Sequence, residues 1–525
     1  MATALDLGLR GIKSVLIEQF DSVNSILMCK AGGGINERTL EIFRRWGISD
    51  GAMNWGAPDD YPVDTLYCTS VFGYRIGLDR STRPKGSLSP ERLIRCPQTV
   101  LIPLLTKAAL ATGNVSIRYN TKFLGFKQDA EGVTVDAAEE ATEKTSQIRA
   151  EYMVGCDGAT SNVREILGIP YLGKTLDYSV SIVLRIKNFG EYTGMKTVER
   201  FMFVGPGGTW ANISSMDYLE RWRLVLLGSK TKMEIDQLDI PAIVEKAIGR
   251  TDARVEVVNV IPWRRNERVA DTFKQGRVLL AGDAAHAISP TGGHGLNTGF
   301  GDVVTLGWML AGVLDGWASP DILEAYTAER RPVAVRNSLA ATKSYSYWVG
   351  KIDFSKVLVE GPEGIRARER IGKELSAGLS SEWNSLGVVM GYRFEGSPLI
   401  VPDGSPEPAD EAETYIPTAR PGHRLPHAWL PDGRSTIDLF GNGYVLLRLG
   451  SNPVDVTKFM EEAKKNNLPL TVVDIPDSQI HKLYERRLVL ARPDGHSAWR
   501  GDAVPENVRT IVQTCKGMFV RAAVA

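Results

Sequence analysis

The sequence predicts an α/β fold of the nucleotide-binding kind, with an inserted antiparallel sheet and a small α/β domain at the C-terminal end. Three observations predict it. The opening MATALDLGLRGIKSVLIEQF sets a helical run, closed by Gly11, before a short apolar strand that ends on Glu18. A glycine after a helix marks its stop, and helix–turn–strand units of this kind build doubly wound sheets. A second apolar strand, VLLAG, runs into Gly282-Asp283 and a glycine-rich loop that opens another helix. Strand-like runs (SVSIVLRI, ERFMFV, TWANISS, WRLVLLG) then crowd residues 178–261 and fit a sheet inserted in the α/β body.

The other elements follow in order. NERTLEIFRRWGI (36–48) is an amphipathic helix closed by Gly47, and PQTVLIPLLTKAALATG (97–113) is another helix. NVSIRYNTKFLGFKQDAEGVTVDA (114–137) forms strands turning at EGV. YMVGCDGATSNVREILGI (152–169) is a strand, a G-x-D-G turn and a helix that Ser161 or Asn162 could cap. Residues 395–413 are rich in Pro, Gly and acids, which is linker composition. GYVLLRLG, PLTVVDI and RLVLARPDG then lead to a final helix, a domain of about 110 residues, within the usual range. The expected division is 1–177 and 263–394 for the nucleotide-binding body, 178–262 for the inserted sheet and 414–525 for the C-terminal domain.

Composition narrows the function. A chain of 525 residues holds two or three cores, and its zero formal charge points to no nucleic-acid or acidic-membrane partner. Five scattered cysteines without a CxxC pair argue against a disulfide framework, a cysteine zinc site or a dithiol centre. No metal-ligand cluster and no Ser-His-Asp arrangement is visible. The first residues do not resemble an export signal, and residues 303–314 are too short and interrupted to span a bilayer. A soluble, cytoplasmic protein is expected.

The 52 glycines cluster where chemistry is expected. Asp283 sits at the carboxyl end of a parallel strand, where ligands bind in open α/β sheets. The loop at 291–297 can turn amide N–H groups toward an electron-rich ligand edge, and its glycines let that edge approach. Asp157 ends a similar strand and turn, and Glu18 stands where an acid accepts hydrogen bonds from adenosine ribose hydroxyls.

Glu18, the DG stretch and the GD stretch, in this order and at these separations, resemble the flavin-dependent aromatic hydroxylases. These are the single-component (group A) FAD monooxygenases, and the likeness is to the phenol hydroxylase type with a thioredoxin-like C-terminal domain. IPWRRNERVADTFKQGRVLLAGDAAH, EAYTAERRPVA, ARPGHRLPHAWL, DGRSTIDLFG and ARPDGHSAWRGD match further along. The resemblance implies that Asp283 contacts the ribityl chain and that Pro290, Gly292, Gly293, Gly295, Leu296 and Asn297 lie against the isoalloxazine. It implies FAD and NAD(P)H at Asp157, and flavin contacts at Gln98 and Arg38. Lys30 falls where many members carry Arg, so the charge is kept and the planar fork lost.

In that family a strand and GxGxxG precede the helix that begins here at Met1. AGGGIN, GPGG and GGHG all fail the fingerprint. A Rossmann-like FAD-binding domain with its first strand absent is therefore expected. It should bind FAD weakly, and an upstream extension should restore binding.

The implied chemistry is reduction of FAD by NAD(P)H, addition of O2 at flavin C4a and oxygen transfer from that hydroperoxide to a phenolic or polyketide-like aromatic. The alternatives are a flavin-poor paralogue or truncated product that binds an aromatic ligand, and a Baeyer–Villiger monooxygenase. Arg185, Trp210 and Asn212 are substrate candidates by position, and no catalytic residue is assigned. His286 and His294 flank the flavin loop as structural residues, and His423, His427, His481 and His496 belong to the C-terminal domain. That domain has Cys515 alone, so it is a stabilising module or a homodimer contact rather than a dithiol exchanger.

Overall fold

The computed structural model describes residues 1–27, 33–55, 64–80, 86–217, 220–252 and 254–518; Lys30 lies outside them. The opening helix spans Ala2–Leu9 and stops where Gly11 turns left-handed (φ 82°), with the Ile12 N–H donating to the Leu7 carbonyl at 3.0 Å. It packs against helices Gln98–Ala111 and His294–Leu314. The approach to the second is close, since a Cβ at Gly307 would stand 2.0 Å from Asp6 Oδ2. The buried Asp6 carboxylate accepts from Arg10 Nε (2.9 Å), Arg45 Nη2 (3.1 Å) and Trp46 Nε1 (2.8 Å).

Among the described residues the strands of residues 1–280 outside the inserted sheet form four small separate sheets: a pair Gly34–Ile35 with Ile94–Arg95, a three-stranded sheet of Thr121–Gln128, Val133–Glu139 and Thr145–Ala150, and two that contain parallel pairs. Ser14–Ile17 pairs in parallel with Val115–Arg118. Met153–Gly155 pairs in parallel with Val278–Leu280, whose other edge takes Lys274–Gln275.

The inserted sheet is larger than 178–262. Its eight strands run in the order His286–Ala287, Glu256–Ala270, Tyr171–Arg185, Arg221–Ser229, Gly208–Ser215, Val198–Gly205, Asp64–Cys68 and Arg75–Asp79. It thus recruits a hairpin from residues 64–79. One face packs on helices Phe189–Thr193 and Ile240–Ile248 through Phe201, Phe203 and Trp222. The other packs on helices Glu324–Val349 and Gly361–Trp383 through Met202, Val225 and Leu375.

The C-terminal sheet, in the order Leu470–Ile475, Tyr444–Leu449, Leu488–Ala491, Ser497–Gly501, starts with a parallel pair and continues antiparallel. With its helices it forms the thioredoxin-like domain, and it is seated firmly on the flavin-side body. Buried Arg492 donates to both oxygens of buried Glu329 (2.6 and 2.8 Å), Arg424 pairs with Glu41, and Trp308 stands edge-on to Tyr444 at 6.0 Å. Residues 395–413 carry no helix or strand, as linker composition suggests, yet they are not loose. Asp403 bonds Arg500 (2.6 Å), Glu407 bonds Arg393 (2.6 Å), and Asp410 bonds Arg336 (2.5 Å). The acids that suggested a solvated tether are the groups that pin it. Among the described residues no helix is long and apolar enough to cross a membrane.

Candidate active site

The site is built on the Val278–Leu280 strand. All three of its residues are buried, and the chain then breaks at Gly282, whose left-handed backbone (φ 62°) starts a single 3-10 turn, Gly282–Ala284. The turn delivers Asp283 to an exposed position while Tyr171 Oη donates to its main-chain carbonyl at 2.9 Å. Protein packed around the turn raises the Asp283 carboxyl above its ordinary value; His286 opposes that push and Asp302 adds to it. No hydrogen bond to the Asp283 carboxylate occurs among the described residues, so both oxygens can accept from a ligand. Gly299 packs against the turn, where a Cβ would stand 3.3 Å from the Gly282 Cα.

The loop that follows has two left-handed glycines, Gly292 (φ 79°) and Gly293 (φ 69°), before helix His294–Leu314. A Cβ at Gly292 would stand 2.6 Å from His294 Nε2, whereas one at Gly293 would meet open space. Gly295 abuts Ile288, Leu296 packs into the core around Phe43 and Phe300, and Pro290 is exposed. Asn297 clamps the loop. Its Nδ2 donates to the carbonyls of Gly293 (2.7 Å) and Gly34 (2.9 Å), and its Oδ1 accepts from the Asn36 N–H (3.1 Å).

Asp302, one turn deeper, is fully buried and accepts from the Gly282 N–H (3.1 Å), bonds His286 Nε2 (2.6 Å) and accepts from Arg330 Nε (2.9 Å). Burial alone would raise its carboxyl, but His286 and Arg330 outweigh that and hold it below its ordinary value. It therefore stays ionised and locks the strand end to the helix. His294 is buried, and burial with nearby Arg336 lowers its pKa to about 4, so it is neutral. His286 and His294 are thus structural in setting.

The remaining expected residues are distributed as follows. Glu18 follows the Ser14–Ile17 strand, half-buried, and accepts from the Phe20 N–H at 3.0 Å. Gln98 begins its helix, half-buried. Asp157 is exposed, but its carboxylate serves the start of helix Asn162–Ile166, accepting from Ser161 Oγ (2.5 Å) and the Val163 N–H (3.0 Å). Ser161 is the cap, accepting from the Arg164 N–H at 3.0 Å. Arg38 is buried and donates to Glu41 of its own helix (3.1 Å), to Tyr392 Oη (3.4 Å) and, from Nη2, to the Asp494 carbonyl of the C-terminal domain (2.6 Å).

Two substrate candidates need correction. Arg185 ends a strand whose other end, Tyr171, touches Asp283; fourteen residues at strand rise put it about 45 Å from that contact. It pairs there with Glu256 (2.8 Å) and Glu220 (3.1 Å). Trp210 stacks on Phe203 (5.7 Å, 27°) beneath Lys246, on the face covered by helix Ile240–Ile248. Asn212 is opposite Met202 and Val225, on the face toward Glu324–Val349, and is buried. The three are not brought together. The sequence reading missed Asp302, Arg330 and Asn36, although each lies in or beside a stretch it singled out.

The donor set fits FAD. An open carboxylate at a strand end, a left-handed glycine pair with open space at Gly293 and an acid at a second strand end are what ribityl, isoalloxazine and ribose would need. Among the described residues no His/Cys/Asp/Glu group could hold a metal, and the described cysteines are free.

Comparison with known proteins agrees. An FAD binding domain family matches residues 1–340, and an aromatic-ring hydroxylase C-terminal family matches residues 418–519. A putative polyketide hydroxylase of Streptomyces halstedii is 30% identical, covering 95% of this chain and 91% of its own length. The structure of RebC with bound 7-carboxy-K252c superposes with a TM-score of 0.90 at 33% identity, over 99% of this chain and 97% of that one. The flavin-dependent monooxygenase PieE, in complex with FAD and substrate, gives 0.86 at 26% identity, over 98% and 96%. The chain belongs to the FAD-dependent aromatic-ring hydroxylases.

Proposed function

We propose that this monooxygenase hydroxylates a phenolic or polyketide-like aromatic, with O2 and NAD(P)H as co-substrates, in a cytoplasmic and homodimeric setting. The observation that carries the site is the open Asp283 carboxylate beside the Gly292–Gly293 turn. Asp283 would hold the ribityl chain and Glu18 the ribose. Pro290, Gly292, Gly293, Gly295, Leu296 and Asn297 would support the ring system, with Gln98, Asp157, Lys30 and Arg38 around the rest. When bound, FAD supplies the reducing equivalents from NAD(P)H and the activated oxygen for the ring. The chain's own part is to fix the loop, present the sheet face that carries Asn212 and exclude water under helices Glu324–Val349 and Gly361–Trp383.

A polycyclic aromatic is supported by Trp263 of the sheet with Tyr345 and Trp348 of the helix that covers it, and by the substrates that the relatives' names describe. In this reading residues 1–177 and 263–394 form the flavin-binding parts apart from the strands they lend to the sheet, 178–262 the bulk of the substrate sheet and 414–525 the C-terminal module. The test is turnover of a panel of phenols and polycyclic phenols with NAD(P)H and saturating FAD, followed by product mass. A ring that gains one oxygen supports the proposal. Oxygen inserted into a ring, or NAD(P)H consumption that no aromatic alters, contradicts it.

A further inference from the structure

Arg265 lies on the Glu256–Ala270 strand, opposite Asp177, and is 1% exposed. Its Nη1 donates to Ser289 Oγ (3.1 Å) and Thr291 Oγ1 (3.2 Å), the hydroxyls on either side of Pro290. Its Nε faces Asp177 Oδ2 at 3.4 Å. Asp177 also accepts from Ser179 Oγ (2.9 Å), from the Gly228 N–H (3.1 Å) and from Tyr345 Oη. The guanidinium sits 4.4 Å from the Tyr345 ring and 5.0 Å from that of Trp263.

Burying a guanidinium is costly unless it is paired and hydrogen-bonded. Asp177 alone would meet the charge requirement. The two hydroxyls are a further investment. Both are buried, both face the cation, and together they fix Ser289 and Thr291 relative to the substrate sheet rather than to the flavin-side strands. One side chain therefore joins the substrate sheet, the flavin loop and helix Glu324–Val349.

We propose that Arg265 is a positioning residue that sets the Ser289–Pro290–Thr291 segment from the substrate side and so fixes the spacing between aromatic and flavin. This rests on the placement of the flavin against the 290–297 loop. Small misplacements of reacting groups cost large factors in rate, and a loosened loop admits water. NAD(P)H and O2 then yield NAD(P)+ and hydrogen peroxide, where the coupled reaction puts one oxygen atom into the ring and reduces the other to water.

The test compares Arg265→Met, Arg265→Lys and the double variant Ser289→Ala with Thr291→Val against wild type, at saturating FAD. The readouts are hydroxylated product per NAD(P)H consumed, hydrogen peroxide, the FAD dissociation constant and the change in flavin absorbance on adding the aromatic without NAD(P)H. Arg265→Met should lower product per NAD(P)H at least threefold, with matching peroxide, and flatten the absorbance change, while FAD affinity stays within threefold. Arg265→Lys should recover part, since it keeps the charge and loses the fork. The double variant keeps the Arg265–Asp177 pair and should shift the ratio in the same direction even if Arg265→Met fails to fold. An unchanged ratio and unchanged absorbance response in the double variant would overturn the inference. Asp283→Ala, run alongside, separates the two claims. If it leaves FAD affinity unchanged, the flavin placement fails and this inference with it; if it weakens FAD while the other variants behave as wild type, only this inference fails.

Discussion

The two β-structures around the flavin loop are held by different means. The inserted sheet is one continuous ladder of eight strands, two of them fifteen residues long. The other strands of residues 1–280, among the described residues, are split into four small sheets of two or three strands. Where the ladder is continuous, position is shared among many backbone hydrogen bonds. Where it is broken, buried ions take over: Asp6 with Arg10 and Arg45, Asp302 with His286 and Arg330, and Glu329 with Arg492. A structure held at a few charged points should respond sharply to single substitutions there and weakly at the ladder's rim.

The largest effect should come from Arg492→Met. It leaves Glu329, fully buried, with Ser397 Oγ (2.5 Å) as its remaining hydrogen-bond donor among the described residues, and removes the bidentate link to the C-terminal domain. Breaking such a pair from one side costs about 3–5 kcal/mol. Urea unfolding should show that loss, and a change below 1 kcal/mol would mean that the domain junction is not where stability resides.

Acid should act next. His294 is held neutral when folded, with a pKa of about 4, and burial likewise lowers His496 to about 3. In the unfolded chain both bind a proton near 6.5. Between those values the unfolded state carries more protons, so stability is full above about pH 6.5 and falls as pH drops toward 4, by up to ~1.4 kcal/mol per pH unit for each histidine. Asp302, held below its ordinary value by His286 and Arg330, continues the trend at lower pH. Urea midpoints at pH 7 and pH 5 measure this, and equal or higher stability at pH 5 would refute it.

The smallest effect should be at the sheet's far end. Arg185→Ala removes an ion pair whose acids are exposed, worth about 0–1 kcal/mol. Hydroxylation per NAD(P)H should stay as in wild type. A marked fall would return Arg185 to the substrate site.

Local signals in the sequence were dependable where geometry is local. Gly11, Gly47 and Gly113 end their helices in left-handed conformations, Ser161 caps its helix, and the GD turn delivers its acid to the surface. What depended on distant partners was hidden. The 64–79 hairpin joins the substrate sheet by pairing with a strand more than a hundred residues away. Strict alternation puts Trp210 and Asn212 on one face, but a register shift between Phe203 and Val204 turns Trp210 to the other. Arg38 matches a flavin-contacting position in sequence, and the sequence does not show that one of its donors is taken by the Asp494 carbonyl of the C-terminal domain. The acids of 395–413 likewise declare their charge but not the arginines they meet.

The central claim, that the flavin rests on the Gly282-Asp283 turn and the loop after it, is tested most directly by FAD titration of Asp283→Ala beside Asp157→Ala, with folding checked in both. Losing a bond to a charged group costs ~1.5–3 kcal/mol, so Asp283→Ala should weaken FAD roughly 10- to 150-fold. Asp157→Ala removes a helix-start contact, costs stability of about 1 kcal/mol and should change FAD affinity far less. Equal FAD affinity in the two folded variants would contradict the claim.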